Sequence, residues 1–388
     1  MNSAHHVDGH TLTLLRNGVE YFPRLVAAID GAKHSIYLET YIFAADSTGH
    51  LISTSLQNAA RRGVKVRLLL DGFGSAELPQ NWIDELRLAG VEVLWFRKTT
   101  GRFSLKRFHL RRLHRKLALV DGRTAYIGGI NIIDDLSHGL HAPRLDYAVE
   151  VEGAVVRNID VSMRRLWLLV AWTHFHRQGE RNIVRLLQRV NAPKQVHYIT
   201  RDSLRHRRDI ERAYLKAIAG AQSEIIIANA YFLPGRRFRK ALLDAAQRGV
   251  RVVLFLQGKV EYRLQHYATM ALYDEFLHAG IEIFAYHASY MHAKVAVVDG
   301  VWATVGSSNI DPFSLWLARE ANLVVQDASF ATSLRDDLLA EMQHSAHRVT
   351  PSVWRKLNIF NWLVMRVSYI FARLLIGVLI YHKGRDDI

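Results

Sequence analysis

The chain has 388 residues, of which 49% are hydrophobic and 22% are charged, a globular composition that excludes a mainly disordered or collagen-like protein. Lysine and arginine (51) outnumber aspartate and glutamate (36), and the formal charge of +15 favours nucleic acid, acidic lipid or phosphorylated substrates as partners. The sequence contains no cysteine, which excludes disulfides, thiol nucleophiles and cysteine-ligated metal sites.

Short β-rich and helical runs alternate in the early part of the chain. Strands are predicted at 35–43, 64–70 and 91–96, and helices at 51–62 and 82–89. Gly63 and Gly90 each follow a predicted helix, where glycine commonly ends one. This order of elements predicts an α/β fold with a mixed or largely parallel sheet.

Two further pairs of β-rich runs are each separated by Asp-Gly. The runs 117–120 and 124–127 flank Asp121 and Gly122, and the runs 295–298 and 302–305 flank Asp299 and Gly300. Asp-Gly between two such runs is a strong signal for a β-hairpin. Each pair therefore predicts a hairpin whose open end lies away from the Asp-Gly turn.

The hairpins belong to a longer internal repeat. Residues 31–43 match 220–232, and residues 114–131, HRKLALVDGRTAYIGGIN, match residues 292–309, HAKVAVVDGVWATVGSSN. The matched segments keep the same order along the chain. Two copies of one module of roughly 170 residues are predicted, and this period is too long for a solenoid.

The repeat divides the chain into three parts. We assign the first module with its linker helices to 1–185, the second module to 186–350, and an apolar and basic segment to 351–388. Residues 157–190 are predicted to be helical and to link the modules. We expect Trp167 and Trp172 in this stretch to pack in a core rather than face a membrane.

The second half of each repeat carries the same groups at the same spacing. The first copy has His114, Lys116, Asp121 and Asn131, and the second has His292, Lys294, Asp299 and Asn309. Side chains at i and i+2 share one face of a strand, so each histidine projects together with its lysine. The asparagine follows the return strand towards the open end of the hairpin. Each copy thus offers an imidazole, an ammonium and a carboxamide in one neighbourhood.

Two such sets facing each other suit phosphodiester chemistry. One histidine can attack phosphorus and form a phosphohistidine, while the other protonates the leaving alcohol and then deprotonates the next one. The lysines and asparagines can hold the non-bridging oxygens as charge develops. This scheme requires no metal and no cofactor.

The doubled block H-x-K-x4-D-x6-G-G/S-x-N resembles the phospholipase D superfamily, and the resemblance covers roughly residues 10–345. Surrounding segments such as LETYIF and IIIANAYFLPG are similar to bacterial cardiolipin synthases, most closely the type B enzymes. The resemblance implies two phospholipase D-like α/β modules related by pseudo-two-fold symmetry around one shared site. It also implies a phosphatidyltransferase that joins two phosphatidylglycerols into cardiolipin and releases glycerol.

The resemblance assigns roles to further residues. In this superfamily an acidic residue about 28–32 positions after each histidine orients the imidazole, which implies Asp146 and Glu320 here. Ser307 joins the catalytic set, and it stands where the first copy has Gly129, so the two half-sites are not equivalent. We interpret Asp121 and Asp299, at the turns, as structural.

The two histidines are not distinguished by the residues alone. The family analogy favours His114 as the nucleophile and His292 as the acid/base. It also makes Glu39, on the first repeated strand where the second copy has Ala228, a candidate acceptor-side residue. The glycine-rich segment 71–74 is predicted to be a turn near the site.

Two kinds of segment bear on membrane binding. Residues 97–116 contain nine lysines or arginines, and 236–240 form a second basic cluster. Each basic segment is a solvated loop, a lip for anionic lipid headgroups, or one wall of a nucleic-acid groove.

Residues 357–381 are mostly apolar and are predicted to form an amphipathic helix with Arg366 and Arg373 on one stripe. A charged residue deep in a bilayer costs about 2.5–3.5 kcal/mol, which favours interfacial anchoring over packing on the protein or a span.

Cardiolipin synthesis through a phosphatidyl-histidine is the function these features favour. The alternatives are a phospholipase D-type hydrolase or another phosphatidyltransferase, a phosphodiesterase acting on nucleic acid, and a membrane-binding protein with an inactive site. We expect phosphatidylglycerol and anionic membrane lipids as partners, and no nucleic acid. Residues 1–10 are polar, without the apolar run of a secretory signal, so we expect a peripheral protein on the cytoplasmic face of the inner membrane.

Overall fold

The computed structural model describes residues 3–98, 111–136, 142–175, 195–202, 206–311, 318–354 and 359–381. The strands of its first half are β1 (Ala4–Val7), β2 (His10–Arg16), β3 (Ser35–Thr40), β4 (Lys65–Asp71), β5 (Glu92–Phe96), β6 (Arg112–Leu113), β7 (Lys116–Val120), β8 (Thr124–Gly128) and β9 (Tyr147–Glu152). Its helices are α1 (Asn17–Gly31), α2 (Ser47–Arg61), α3 (Gln80–Leu88) and α4 (Val155–Phe175).

The second half repeats this series of elements. Its strands are β10 (Val196–Arg201), β11 (Glu224–Asn229), β12 (Arg251–Gln257), β13 (Glu282–Tyr286), β14 (Lys294–Val298), β15 (Trp302–Gly306), β16 (Ala318–Gln326) and β17 (Ala346–Val349). Its helices are α5 (Asp209–Gly220), α6 (Arg236–Gln247), α7 (Arg263–Met270), α8 (Tyr273–His278), α9 (Ala328–Ser345), α10 (Pro351–Trp354) and α11 (Ile359–Tyr381).

Two sheets with the same topology confirm the predicted pair of α/β modules. Among the described strands, the order β2-β9-β8-β7-β3-β4-β5 in the first sheet corresponds to β10-β16-β15-β14-β11-β12-β13 in the second. In each sheet the last three strands run parallel and the others antiparallel, so the sheets are mixed. β1 and β17 add an antiparallel edge strand to one sheet each.

Both predicted hairpins form, and their turns have the conformation that Asp-Gly favours. Asp121 and Gly122 have φ values of 51° and 64°, and Asp299 and Gly300 have 52° and 63°. Positive φ at both central residues matches the right-handed twist of the flanking strands. Each hairpin therefore returns Gly128 or Gly306 beside the lysine of its own motif.

The two modules share one hydrophobic core. The inner faces of both sheets contribute to a single buried cluster together with α4 and α9. Two other clusters pack the outer helices against the outer face of each sheet. Arg16 of β2 also forms ion pairs with Asp337 and Glu341 of α9. The halves are therefore joined by apolar burial and by ion pairs between the modules.

Backbone pairing across the junction brings the two motifs together. β6 runs parallel to β16, with Leu113 opposite Arg319, and the amide of His114 donates to the carbonyl of Arg319 at 3.0 Å. The same arrangement recurs with the halves exchanged, where Leu145 bridges Met291 and the amide of His292 donates to the carbonyl of Leu145 at 2.8 Å. Each motif histidine is thereby held against the strand start of the other module.

The predicted linker begins as α4. Trp167 is buried in a cluster with Leu69, Leu94 and Val170, which confirms core packing for that residue, whereas Trp172 is half-buried. The assigned module boundary at 185/186 and residues 99–110 of the basic segment lie outside the described residues.

The C-terminal helix α11 packs on the protein through a narrow stripe. Met365 and Ala372 are buried and Tyr369 is half-buried at the contact with α7. Much of its remaining described surface is apolar, with the following side chains 49–68% exposed: Phe360, Trp362, Leu363, Val367, Ile370, Phe371 and Leu374. Asn361 and Arg366 are also exposed. No helix within the described part of the chain has the length and hydropathy needed to cross a bilayer.

Candidate active site

His114 lies at the start of the first motif strand and faces a carboxylate of the second module. Its Nδ1 is 2.9 and 3.1 Å from the two oxygens of Glu320. Glu320 is fully buried, and Ser307 donates its hydroxyl to the same carboxylate at 2.5 Å. Burial opposes ionisation of Glu320, but His114, Lys116 and the Ser307 hydroxyl lower its pKa. Glu320 is therefore an anion that fixes the ring of His114.

His292 is placed in the same way by the first module. Its Nδ1 is 2.6 Å from Oδ2 of Asp146. Burial raises the pKa of Asp146 to about 6, against the opposing effect of Lys294. Burial and the nearby Lys294, Lys116 and His114 hold the pKa of His292 well below its usual value. An anionic substrate in this site would raise the pKa values of these cationic groups.

The carboxylates therefore pair crosswise between the modules. The residue that follows His114 by 32 positions, Asp146, contacts His292, and the residue that follows His292, Glu320, contacts His114. Since Nδ1 of each ring faces a carboxylate, Nε2 is the nitrogen left for a substrate. Neither half-site is complete without the other module.

The two motif lysines are buried beside the histidines. The ammonium of Lys116 donates to the backbone carbonyl of His114 at 2.7 Å, and that of Lys294 donates to the carbonyl of His292 and lies 2.9 Å from its Nδ1. Burial, reinforced by Lys294, lowers the pKa of Lys116 to about 7. Burial also lowers the pKa of Lys294, although Asp146, Glu320 and Glu261 counter it. Two adjacent buried ammonium groups form a site for an anion.

The asparagines end the half-sites as the spacing predicts, and both are buried. Asn131 accepts the amide of Ile42 through Oδ1 at 3.2 Å, which leaves its NH₂ group to point elsewhere. Asn309 is 3% exposed, and its Oδ1 has no hydrogen-bond partner among the described residues. These carboxamides are therefore held ready for a further polar partner.

Position 129 holds glycine and the matched position 307 holds serine. The neighbouring buried carboxylate, which belongs to an aspartate in the first module and to a glutamate in the second, explains this difference. A Cβ on Gly129 would lie 2.2 Å from Oδ1 of Asp146, so the first module has no room for a side chain there. In the second module Ser307 occupies the matched position and binds Glu320. The sequence indicated that the half-sites are not equivalent, and this contact is the physical difference.

The turn aspartates lie at the opposite ends of the motif strands. Asp121 accepts backbone amides of Lys33, His34 and Ser35 at 2.7–2.8 Å. Asp299 accepts those of Gln222, Ser223 and Glu224 at 2.8–2.9 Å. Each of them is five residue steps along the chain from the motif lysine, about 16 Å at the usual rise of a strand. This placement supports the structural interpretation.

Asp121→Ala is expected to reduce stability rather than chemistry. It removes three hydrogen bonds to a charged acceptor, so the free energy of unfolding should fall by about 1–3 kcal/mol. We expect kcat per folded molecule to stay within about twofold. Urea unfolding and activity assays on the same preparation measure both quantities. A large loss of kcat at unchanged stability would contradict this role.

One neighbour of the site, Arg115, was not predicted from the sequence. Arg115, between His114 and Lys116, forms a buried two-pronged ion pair with Glu39, and both side chains are 4% exposed. Arg115 binds both carboxylate oxygens of Glu39, which does not support the acceptor-side role that the resemblance suggested. The repeat held a signal for this pair, since the second copy has Ala228 and Ala293 at the two matched positions. A charged pair replaced together by alanine indicates mutual contact.

The predicted turn at 71–74 does lie beside the site. Asp71 accepts the amide of Leu113 at 2.7 Å, directly before His114, and Gln257 accepts the amide of Met291 at 2.9 Å, directly before His292. These matched residues fix the start of each motif strand. Tyr41, whose ring centroid is 5.0 Å from that of His114, completes the wall on that side.

Comparison with known proteins is consistent with this geometry. The family described as "Cardiolipin synthase, PLD-like domain" matches residues 25–167 and 214–342. Cardiolipin synthase B of Escherichia coli K12 is 37% identical over 392 aligned positions, which cover 97% of this chain and 92% of that protein. A probable cardiolipin synthase of Bacillus subtilis is 30% identical and covers 95% of this chain and 72% of that protein.

A solved structure shares the fold. Phosphatidylserine synthase of Haemophilus influenzae has a TM-score of 0.70 and 13% sequence identity, with 95% of this chain and 94% of that chain covered. With the family match over both modules and relatives above 30% identity along the whole fold, the resemblance seen in the sequence is confirmed. The chain belongs to the phospholipase D superfamily and, within it, to the cardiolipin synthase family, whose enzymes are phosphatidyltransferases.

Proposed function

We propose that this protein joins two phosphatidylglycerol molecules into cardiolipin and glycerol through a phosphatidyl-histidine intermediate. The observation that carries the proposal is the single site in which His114 and His292 each meet a carboxylate of the opposite module. Similarity to the cardiolipin synthases supports the substrate class.

His114 is the nucleophile in this proposal. Its Nε2 attacks phosphorus, the bond from phosphorus to the glycerol oxygen breaks, and His292 gives its proton to that oxygen. A phosphorylated imidazole that keeps its Nδ1 proton is cationic, and the ionised Glu320 stabilises it. In the second step His292 takes the proton from a hydroxyl of the acceptor phosphatidylglycerol, whose oxygen attacks phosphorus and releases His114.

Lys116, Lys294, Asn131 and Asn309 hold the non-bridging oxygens. Both ammonium groups are buried, so their attraction for a developing negative charge is stronger than it would be in water. Because the lysines are fixed by backbone carbonyls before substrate binds, they need little reorganisation during the reaction.

The value of kcat/KM is expected to fall as the pH rises through about 7. Burial lowers the pKa of Lys116 to about 7, so this side chain carries its positive charge below that pH and loses the charge above it. A bound phosphodiester favours the charged form, so the alkaline limb of kcat should lie at higher pH than that of kcat/KM. Profiles at low and at saturating phosphatidylglycerol test this. Limbs that coincide would contradict it.

The exposed face of α11 is the proposed membrane contact, with the protein peripheral on the cytoplasmic face of the inner membrane. Deleting 351–388 should release the protein from anionic vesicles. Phe371→Asp with Leu374→Asp should lower vesicle binding at least about tenfold, because each buried apolar side chain contributes about 1.5–3 kcal/mol. This pair spares the buried Met365 and Ala372.

The matched control for that pair is Leu88→Asp, which places a charge on another exposed leucine, 87% exposed on α3. Sedimentation with phosphatidylglycerol vesicles measures the bound fraction. Unchanged sedimentation of the α11 variant, or equal loss in the Leu88 variant, would refute the contact.

Product analysis tests the activity itself. Purified protein is incubated with phosphatidylglycerol vesicles, and lipids and glycerol are measured by mass spectrometry. Equal amounts of cardiolipin and glycerol are expected. Phosphatidic acid without cardiolipin would indicate a hydrolase instead, and turnover only with another lipid acceptor would indicate a different phosphatidyltransferase. Cleavage of nucleic acid without turnover of phosphatidylglycerol would support the phosphodiesterase alternative.

A further inference from the structure

A recess opens beside the second half-site. It encloses about 370 Å³ of empty space, part of which is open to solvent, and its lining includes Tyr231, Gln257, Glu261, Tyr262, Gln265 and His266. Phe232, Leu256 and Tyr273 add apolar surface. We call it the Tyr231 recess.

The wall of the Tyr231 recess is continuous with the strand start that carries His292. Gln257 accepts the amide of Met291, the residue before His292, at 2.9 Å. Ala230, which also lines the recess, donates its amide to the carbonyl of Ala293, the residue after His292, at 2.9 Å. The Tyr231 recess therefore adjoins the strand start that carries His292.

The polar groups of the recess suit a polyol. Nε2 of Gln257 is buried without a hydrogen-bond partner among the described residues, and the whole residue is 9% exposed. Glu261 accepts the hydroxyl of Tyr231 at 2.5 Å and keeps further lone pairs. An unpaired buried donor is costly, and a ligand hydroxyl oxygen would satisfy it. A neighbouring hydroxyl of the same ligand could donate to Glu261.

The polar side chains at the matched positions of the first module already have hydrogen-bond partners. Asp71, the counterpart of Gln257, accepts the amides of Leu113, Phe73 and Gly74 at 2.7–3.0 Å. Ser75, the counterpart of Glu261, donates to the carbonyl of Tyr41 at 2.9 Å and accepts the amide of Phe43 at 3.0 Å. These groups bind their own backbone, so the polyol chemistry is confined to the His292 side.

We propose that the Tyr231 recess is a glycerol subsite, which holds first the leaving glycerol and then the glycerol headgroup of the acceptor lipid. This inference rests on the proposed function. In the reverse of the first step, His292 takes a proton from a hydroxyl of glycerol, its oxygen bonds to phosphorus, and the bond from phosphorus to Nε2 of His114 breaks. Free glycerol should therefore exchange into phosphatidylglycerol through the recess.

Competition between glycerol and ethanol for the phosphatidyl-enzyme tests the subsite. The full-length protein is given phosphatidylglycerol with labelled glycerol and ethanol together, and labelled phosphatidylglycerol and phosphatidylethanol are quantified. Their ratio depends only on how the intermediate partitions, so a change in its rate of formation does not affect it. Ethanol lacks the neighbouring hydroxyls that the recess is proposed to bind.

Glu261→Gln and Gln265→Leu should each lower the glycerol-to-ethanol ratio at least about fivefold. Glu85→Gln, on an exposed face of α3, should leave it at the wild-type value. An unchanged ratio in both recess variants would overturn the glycerol subsite while leaving the proposed function intact. If the wild-type protein forms cardiolipin but transfers to neither alcohol, free glycerol does not reach the intermediate through the recess, and this inference fails while the proposed function stands. If it forms neither cardiolipin nor an alcohol product, the proposed function fails as well.

Discussion

His114→Ala and His292→Ala are each expected to lower turnover of phosphatidylglycerol by at least about 10⁴-fold. The first substitution removes the nucleophile, and the second removes the only proton donor and acceptor assigned to both steps. Because one site serves the whole reaction, neither module can work alone. Cardiolipin formed per minute, measured by mass spectrometry on purified protein, gives the loss directly.

His34→Ala is the matched control, since this histidine is exposed and its backbone amide, not its ring, binds Asp121. It should retain wild-type turnover. Appreciable turnover by either His114→Ala or His292→Ala would mean that the two histidines do not share one site. Circular dichroism should show that all three variants remain folded.

Glu320→Gln and Asp146→Asn are expected to lower kcat by about 10²–10⁴-fold with little change in fold. An amide in place of the carboxylate does not stabilise an imidazolium and can favour the wrong tautomer. Glu320 is 3.1 Å or less from Nδ1 of His114, and Asp146 is 2.6 Å from Nδ1 of His292, so each change acts on the histidine of the other module.

Nitrogen-15 NMR of histidine separates this crosswise pairing from pairing within each motif. Glu320→Gln should shift the ring signals of His114, and Asp146→Asn those of His292. The reverse pattern would contradict the arrangement described here. Glu341→Gln, which alters another buried acid that is paired with Arg16 and away from the motif, should shift neither.

Local sequence signals predicted most of each module. The Asp-Gly turns at 121–122 and 299–300 and the i, i+2 spacing of histidine and lysine specify the hairpins, because both depend on neighbouring residues. The repeat predicted two modules, and the two sheets have matching strand order. The candidate site residues were predicted because two copies at identical spacing are hard to explain by chance.

Contacts between residues far apart in the sequence could not be predicted from local sequence patterns. Asp146 and His292 are 146 positions apart, and their contact depends on the bridge from Leu145 to Met291 between the modules. Periodicity carries no information on such pairing. The behaviour of α11 is a second case, since its apolar residues predicted interfacial anchoring, but a stripe through Met365 and Ala372 packs on α7. The tertiary structure is needed to tell which apolar residues of α11 pack on the protein and which are exposed.

Trapping the covalent intermediate tests the shared-site mechanism most directly. The protein is mixed with phosphatidylglycerol carrying a labelled phosphate, quenched in alkali, where phosphohistidine survives, and mapped by peptide mass spectrometry. We expect the label on His114 in the wild-type protein and no labelled histidine in His114→Ala. Label found only on His292 would reverse the assignment of nucleophile and acid/base, and turnover to cardiolipin without any labelled histidine would contradict the covalent mechanism.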